Sequence, residues 1–202
     1  SSEVTGLSMG FQSGVLGPQI SIRGVGTTAA NATIDQSVSL NVDGLQLTQG
    51  FSYEAAMFDV AQVDILKGPQ ALFFGKNSPA GVISMRTADP SDRFEAELRT
   101  GYEVEAEKMM VEAIVSGPVT PSLKLRLAAH YSNDNGFFRN LATAPEGFGV
   151  RTPTTTNFAT SEDLIIRGTA VLSPGSDYDA RLKINFTEKF IDNGCGDTQI
   201  AA

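Results

Sequence analysis

The stretch FEAELRTGYEV, residues 94–104, limits the fold more than any other part of the chain. One set of alternate positions holds Phe94, Ala96, Leu98, Thr100, Tyr102 and Val104, and the other holds Glu95, Glu97, Arg99, Gly101 and Glu103. A strict period of two over this length is a β-strand with one apolar face and one charged face. LKLRLAAHY (123–131) and DARLKINFT (179–187) repeat the pattern. KMMVEAIVS (108–116) and LIIRGTAVL (164–172) are less clean, because Met110, Ile114, Ile165 and Val171 fall on the polar side.

The connections add a second constraint. SGPVTPS (116–122) and SPGSDYD (173–179) are tight turns, whereas the link from about Ser132 to Asp163 is a polar loop of roughly thirty residues. Short turns at one end and long loops at the other are the asymmetry of outer-membrane barrels. Strands of about 9–11 residues also match a tilted membrane crossing. On that reading Phe94 marks the lower rim, and Tyr102 and Tyr131 the upper one. Alternation alone also fits a sandwich whose apolar face meets a core. No segment reaches the ~18–20 continuous apolar residues of a spanning helix, but barrel strands escape a hydropathy window.

Residues 1–90 have a different grammar: glycine-rich turns between short β-branched runs. ISIRGVG (20–26), VSLNVDGLQL (38–47, bending at Asp43-Gly44), VAQVDIL (60–66) and GVISMRT (81–87) are expected strands, and Ser52 is expected to cap a short helix over 53–60. The net charge of −8 over 202 residues disfavours a nucleic-acid partner, which needs clustered cations. A single cysteine, Cys195, excludes an internal disulfide.

VDILKGPQALFFGKNSPAGVI (63–83) superficially suggests a phosphate loop. That motif needs Gly at 70 and Ser or Thr at 77, followed by a helix; the chain has Gln70, Asn77 and then Pro79-Ala80-Gly81. Gly68-Pro69 ends a strand and fixes the exit direction, Gly75 and Gly81 allow backbone closed to other residues, and Phe73 and Phe74 are expected to anchor the turn in apolar packing. Arg23-Gly24-Val25-Gly26 is an incomplete dinucleotide fingerprint.

Together these residues resemble the plug of TonB-dependent outer-membrane receptors: VDILKGPQALFFGKNSPAGVISMRTADP its closing signature, QISIRGVG its Ile-Arg-Gly strand, SVSLNVDGL its Asp-Gly strand, and SGPV the first barrel turn. The resemblance implies an α+β plug (a small mixed sheet with short helices) over 1–90, then the first five or so strands of an antiparallel transmembrane β-barrel over 91–202. The barrel would be incomplete, since such receptors have about 22 strands. It implies uptake of a scarce nutrient, by default a ferric siderophore, across the bacterial outer membrane, with no enzyme activity and no catalytic, cofactor or metal residues. The implied partners are membrane lipid, the iron chelate or other nutrient, and TonB, which would contact a segment before Ser1. A soluble or secreted β-rich binding module is the alternative.

By the same resemblance, Arg23 and Lys67 match plug cations that pair with acidic barrel groups. Lys67 lacks the bidentate fork of Arg, and the acidic partners would lie beyond Ala202. Gly24, Gly44, Gly68, Pro69, Gly75 and Gly81 are the structural turns. Thr28, Asn31, Phe51 and Tyr53 are candidate ligand contacts at the plug apices. His130 has inward parity, and as a lone histidine reads as a lumen-lining polar residue rather than a metal ligand. Cys195 lies in a predicted exterior loop, where an oxidising medium would allow pairing with a cysteine outside the chain.

Overall fold

A computed structural model describes residues 5–11, 18–26, 37–47, 57–74, 78–105, 107–136, 138–139, 157–158, 160–175 and 178–192. The chain divides into two compact units, Ser1–Ala88 and Asp89–Ala202.

The first unit contains two sheets. Strands β1 (Leu7–Phe11), β2 (Pro18–Ile22) and β3 (Val25–Gly26) form an antiparallel three-stranded sheet. β4 (Val38–Val42), β5 (Leu45–Leu47), β6 (Val60–Lys67) and β7 (Gly81–Thr87) form a mixed sheet in the order β5-β4-β7-β6, with β4 and β7 parallel. Being central, β7 reads as a nearly continuous buried run. Its Ile83 and Met85 join Ile20, Ile22, Val38, Leu40 and Ala80 in one apolar core.

Three expectations change here. ISIRGVG is a hairpin rather than a single strand: Arg23 (φ 54°) and Gly24 (φ 79°) form a two-residue turn, so Ile22 pairs with Val25. β1 carried no signal that sequence reading picked up. The first half of the helix expected over 53–60 lies outside the described residues. Its last four positions, Met57 to Val60, are turn, bend and the start of β6, with Asp59 at φ 54°. Among the described residues helix is confined to α1 (Ala71–Phe74).

The second unit is one antiparallel meander: β8 (Glu95–Glu103), β9 (Lys108–Thr120), β10 (Leu123–Asp134), β13 (Thr160–Leu172) and β14 (Ala180–Asp192), each beside its predecessor in that series. Among the described residues β8 and β14 have one neighbour each. β11 (Phe138–Arg139) pairs with β12 (Asn157–Phe158), continuing the ladder into the base of the long loop. The strands outrun the expected ranges mainly at this loop end, where polar residues hide ladder pairing from a hydrophobic pattern. At the other end β9 runs through Gly117-Pro118 to Thr120, leaving Pro121-Ser122 as the turn. A register shift beside Leu123 absorbs the proline at the strand terminus.

Candidate functional site

The most informative feature of the second unit is which face is covered. The register aligns Leu98, Ala113, Ala129, Ile166 and Phe186 in one row across all five strands. The adjacent row on the other face is Glu97, Ile114, Ala128, Arg167 and Asn185. Leu98 is 70 % exposed, Phe186 51 % and Ile184 62 %, whereas Ile114 is 6 %, Ala128 0 % and Arg167 3 %. On the central strands β9, β10 and β13 the apolar face is the more exposed one, with Val115 at 48 % and Leu127 at 56 %, and the polar face is covered, the reverse of a half-buried sheet in water; on the outer strands β8 and β14 both faces are exposed. Among the described residues no second sheet packs on the oily rows. The four apolar residues on the polar side are part of the covered surface, with Ile114 and Ile165 fully buried.

The polar face carries a hydrogen-bonded network. Arg99 Nε donates to Glu97 Oε1 at 2.7 Å and Nη1 approaches Glu112 Oε2 at 3.5 Å. His130 Nδ1 lies 3.1 Å from Glu112 Oε1; a carboxylate only accepts, so Nδ1 carries the proton. Arg167 Nε donates to Asn185 Oδ1 at 2.6 Å, and Lys189 Nζ lies 3.5 Å from Asp163 Oδ1. Apart from Arg99–Glu97, which lies within β8, these pairs join adjacent strands at matching register, the arrangement that cross-strand pairing produces. His130 thus lies on the charged wall. Among the described residues no cluster of three His, Cys, Asp or Glu has metal-binding geometry.

In the first unit the segment after β6 is a closed hairpin neck. Gly68 N donates to Ala80 O at 3.0 Å and Gln70 N to Ser78 O at 3.1 Å, and α1 hangs beyond them. Gly68 has φ 91°, and Pro69 follows it before α1. Gly81 has φ 152°, and a Cβ there would collide with Leu66 O and come within 2.8 Å of Ile22 Cδ1. Only glycine allows β6, β7 and β2 to meet so closely. Phe73 does not anchor this turn: it is 82 % exposed, because backbone bonds rather than aromatic packing close the neck.

Arg23 and Lys67 lie far apart in sequence but reach the same short segment. Arg23 N donates to Gly6 O at 2.6 Å, and Lys67 Nζ donates to Thr5 O at 2.7 Å. Gly24 and Gly44 hold the left-handed positions of two hairpin turns. Gly75, Thr28, Asn31, Phe51, Tyr53 and Cys195 lie outside the described residues.

Sequence reading missed Asp43. At φ 49° it donates N–H to Met85 O at 2.9 Å, while its carboxylate accepts from Thr87 N at 3.0 Å and Thr87 Oγ1 at 2.6 Å. It ties the β4–β5 turn to the end of β7, and Thr87 is buried. The Asp-Gly pair announced a turn but not its distant partner.

The family model of the TonB-dependent receptor plug domain matches residues 1–82. Pesticin receptors of Yersinia enterocolitica and Yersinia pestis are 27 % identical over 145 residues, covering 71 % of this chain and 21 % of theirs. The chain thus spans about a fifth of the length of these curated relatives. Among solved structures, the ferric yersiniabactin uptake receptor FyuA from Yersinia pestis aligns with a TM-score of 0.73 at 22 % identity, over 92 % of this chain and 27 % of that one. The pyoverdine outer-membrane receptor FpvA from Pseudomonas aeruginosa PAO1 aligns at 0.66 and 16 %, over 91 % and 24 %.

Proposed function

We propose that this chain, whose residues 1–82 are a TonB-dependent receptor plug domain, belongs to a receptor that takes up a ferric siderophore across the bacterial outer membrane, where chains of this plug family and fold reside. The observation that carries the reading is the sheet whose central strands expose the apolar face and cover the charged one, following a plug in the same chain. Such a sheet suits lipid outside and a polar lumen inside. We assign residues 1–90 to the plug and 91–202 to the first barrel strands. A ferric siderophore is the ligand class we choose because two solved receptors of this fold are named for ferric yersiniabactin and pyoverdine.

The chemistry needed is binding and release. Thr28, Asn31, Phe51 and Tyr53 are the ligand contacts we propose, with TonB supplying the pull. Arg23 and Lys67 are the plug cations we propose to pair with acidic groups of the barrel wall; ion pairs in a wet lumen are weak enough to exchange. No bond-making step is assigned to any residue.

The test uses the full-length receptor and a deletion strain. Growth under iron limitation on a panel of ferric siderophores should be lost on deletion for one member and restored by complementation, and the protein should fractionate with outer membranes and migrate faster before boiling. A full-length product recovered in the soluble fraction with heat-independent mobility would instead favour the binding-module alternative.

A further inference from the structure

We propose that residues 89–93 form a strap fastened across the polar face of the five-stranded sheet, and that it sets the point at which any displacement of the first unit must stop. The segment, Asp-Pro-Ser-Asp-Arg, connects β7 to β8 and is polar throughout. It does not run directly from one strand to the next. Asp89 Oδ2 lies 3.0 Å from Arg181 Nη2, and its Oδ1 lies 3.4 Å from Lys183 Nζ; both cations are on β14, the far edge of the sheet. Ser91 N donates to Ser116 Oγ of β9 at 2.8 Å, and the two hydroxyl oxygens are 2.9 Å apart. Asp92 forms an ion pair with Lys124 of β10. Phe94 then meets Gly117 and leads into β8.

Ser116 and Lys124 belong to the polar face by register, as do Arg181 and Lys183. The segment therefore crosses that face instead of skirting its edge. Its length suffices for the crossing: six residue steps from Asp89 to Glu95 reach at most ~20 Å, the four strand spacings between β14 and β8 amount to ~19 Å, and the long side chains of Arg181 and Lys183 shorten the span the backbone must cover. Pro90 removes one backbone freedom. At the β8 end a Cβ on Gly117 would lie 2.9 Å from Phe94 Cα and 3.3 Å from Arg93 O, so glycine lets the strap lie flat.

Each contact is individually weak, because Asp92 and Arg181 are exposed; Lys183 is the most covered member, 14 % exposed. Several weak contacts on one short segment act together and remain sensitive to salt. Force on the first unit then ends at Ala88 and is borne by β14, β10 and β9 rather than by the start of β8 alone. This last consequence rests on the transport reading; the strap itself does not.

The test is tryptic cleavage after Arg93 in the full-length receptor, in outer-membrane fragments that expose both surfaces. Cleavage should be slow in the parent at low salt and rise about five- to tenfold in the Asp89→Asn/Asp92→Asn double variant, since cleavage follows the opened population. One molar salt should accelerate the parent similarly and the double variant little, while Asp89→Glu should stay protected. Equal rates in parent and double variant, with no salt effect on either, would overturn the strap. If the variant loses its heat-resistant mobility, the salt response of the parent alone decides. A parent that protects Arg93 but takes up no ferric siderophore sinks the transport reading and leaves the strap standing.

Discussion

The two units of this chain place their apolar side chains by opposite rules. In the first, Ile22, Leu40, Val82 and Ile83 are almost completely buried, as expected of a domain that hides its oil from water. In the second, Leu98, Ile184 and Phe186 are bare while Arg167, Ser116 and Ser132 are covered. Both halves are built of strands with similar residues, short in the first unit and long in the second. What differs is the surrounding medium each sequence anticipates, and a period-two pattern reports that medium only when one knows which face is covered.

The sharpest way to break the contrast is the same substitution in both places. Leu40→Ala in the full-length protein should cost the first unit about 2–5 kcal/mol, because a cavity remains. On the proposed lipid-facing reading, Leu98→Ala should cost the sheet under about 1 kcal/mol, since acyl chains would fill the space. Hydrogen exchange of each unit reads the two separately, and equal losses would erase the distinction. Leu98→Arg should destabilise the sheet by about 2–4 kcal/mol if its level is near the bilayer midplane; folding titrations into lipid vesicles measure this, and a neutral result would return the oily rows to water. Asp43→Ala should loosen the end of β7 by about 1–3 kcal/mol by stranding the N–H and hydroxyl of Thr87, visible as faster exchange at Thr87 with the second unit unaffected.

The smallest effect concerns Asp92. The hydrogen bond from Lys124, aided by its charge, holds this carboxyl below its ordinary range. Its contribution is therefore complete above the unfolded value near ~3.9 and disappears as pH falls through the lower folded value. A carbon-detected titration should place the Asp92 midpoint below that of an unpaired aspartate, and Lys124→Met should move it back up.

Much of the second unit was legible because strand alternation projects directly onto faces: Ala96, Leu98, Thr100 and Tyr102 of the oily row keep that parity in the pairing of β8 with β9, while Phe94 and Val104 lie just outside the strand. The strand ends were not, since polar pairs such as Asp134 with Ser161 leave no hydrophobic trace. In the first unit, Gly68-Pro69 and Gly81 were legible as punctuation because their backbone demands are local. The Arg23-Gly24 hairpin was hidden by an arginine at positive φ, which few non-glycine residues adopt. The tie between Asp43 and Thr87 joins positions 44 residues apart, and a single sequence carries no record of such a meeting.

On the proposed barrel reading, the single-neighbour strands β8 and β14 have a consequence for how this sheet would reach a membrane. Each outer strand presents amide and carbonyl groups with no ladder partner among the described residues, and hydrocarbon offers them nothing in exchange. A ribbon with two such margins cannot enter oil as a free-standing piece. Insertion must then be a collective event in which the flanks are zipped to further strands, so an isolated 95–192 peptide offered to vesicles should clump through its margins rather than integrate.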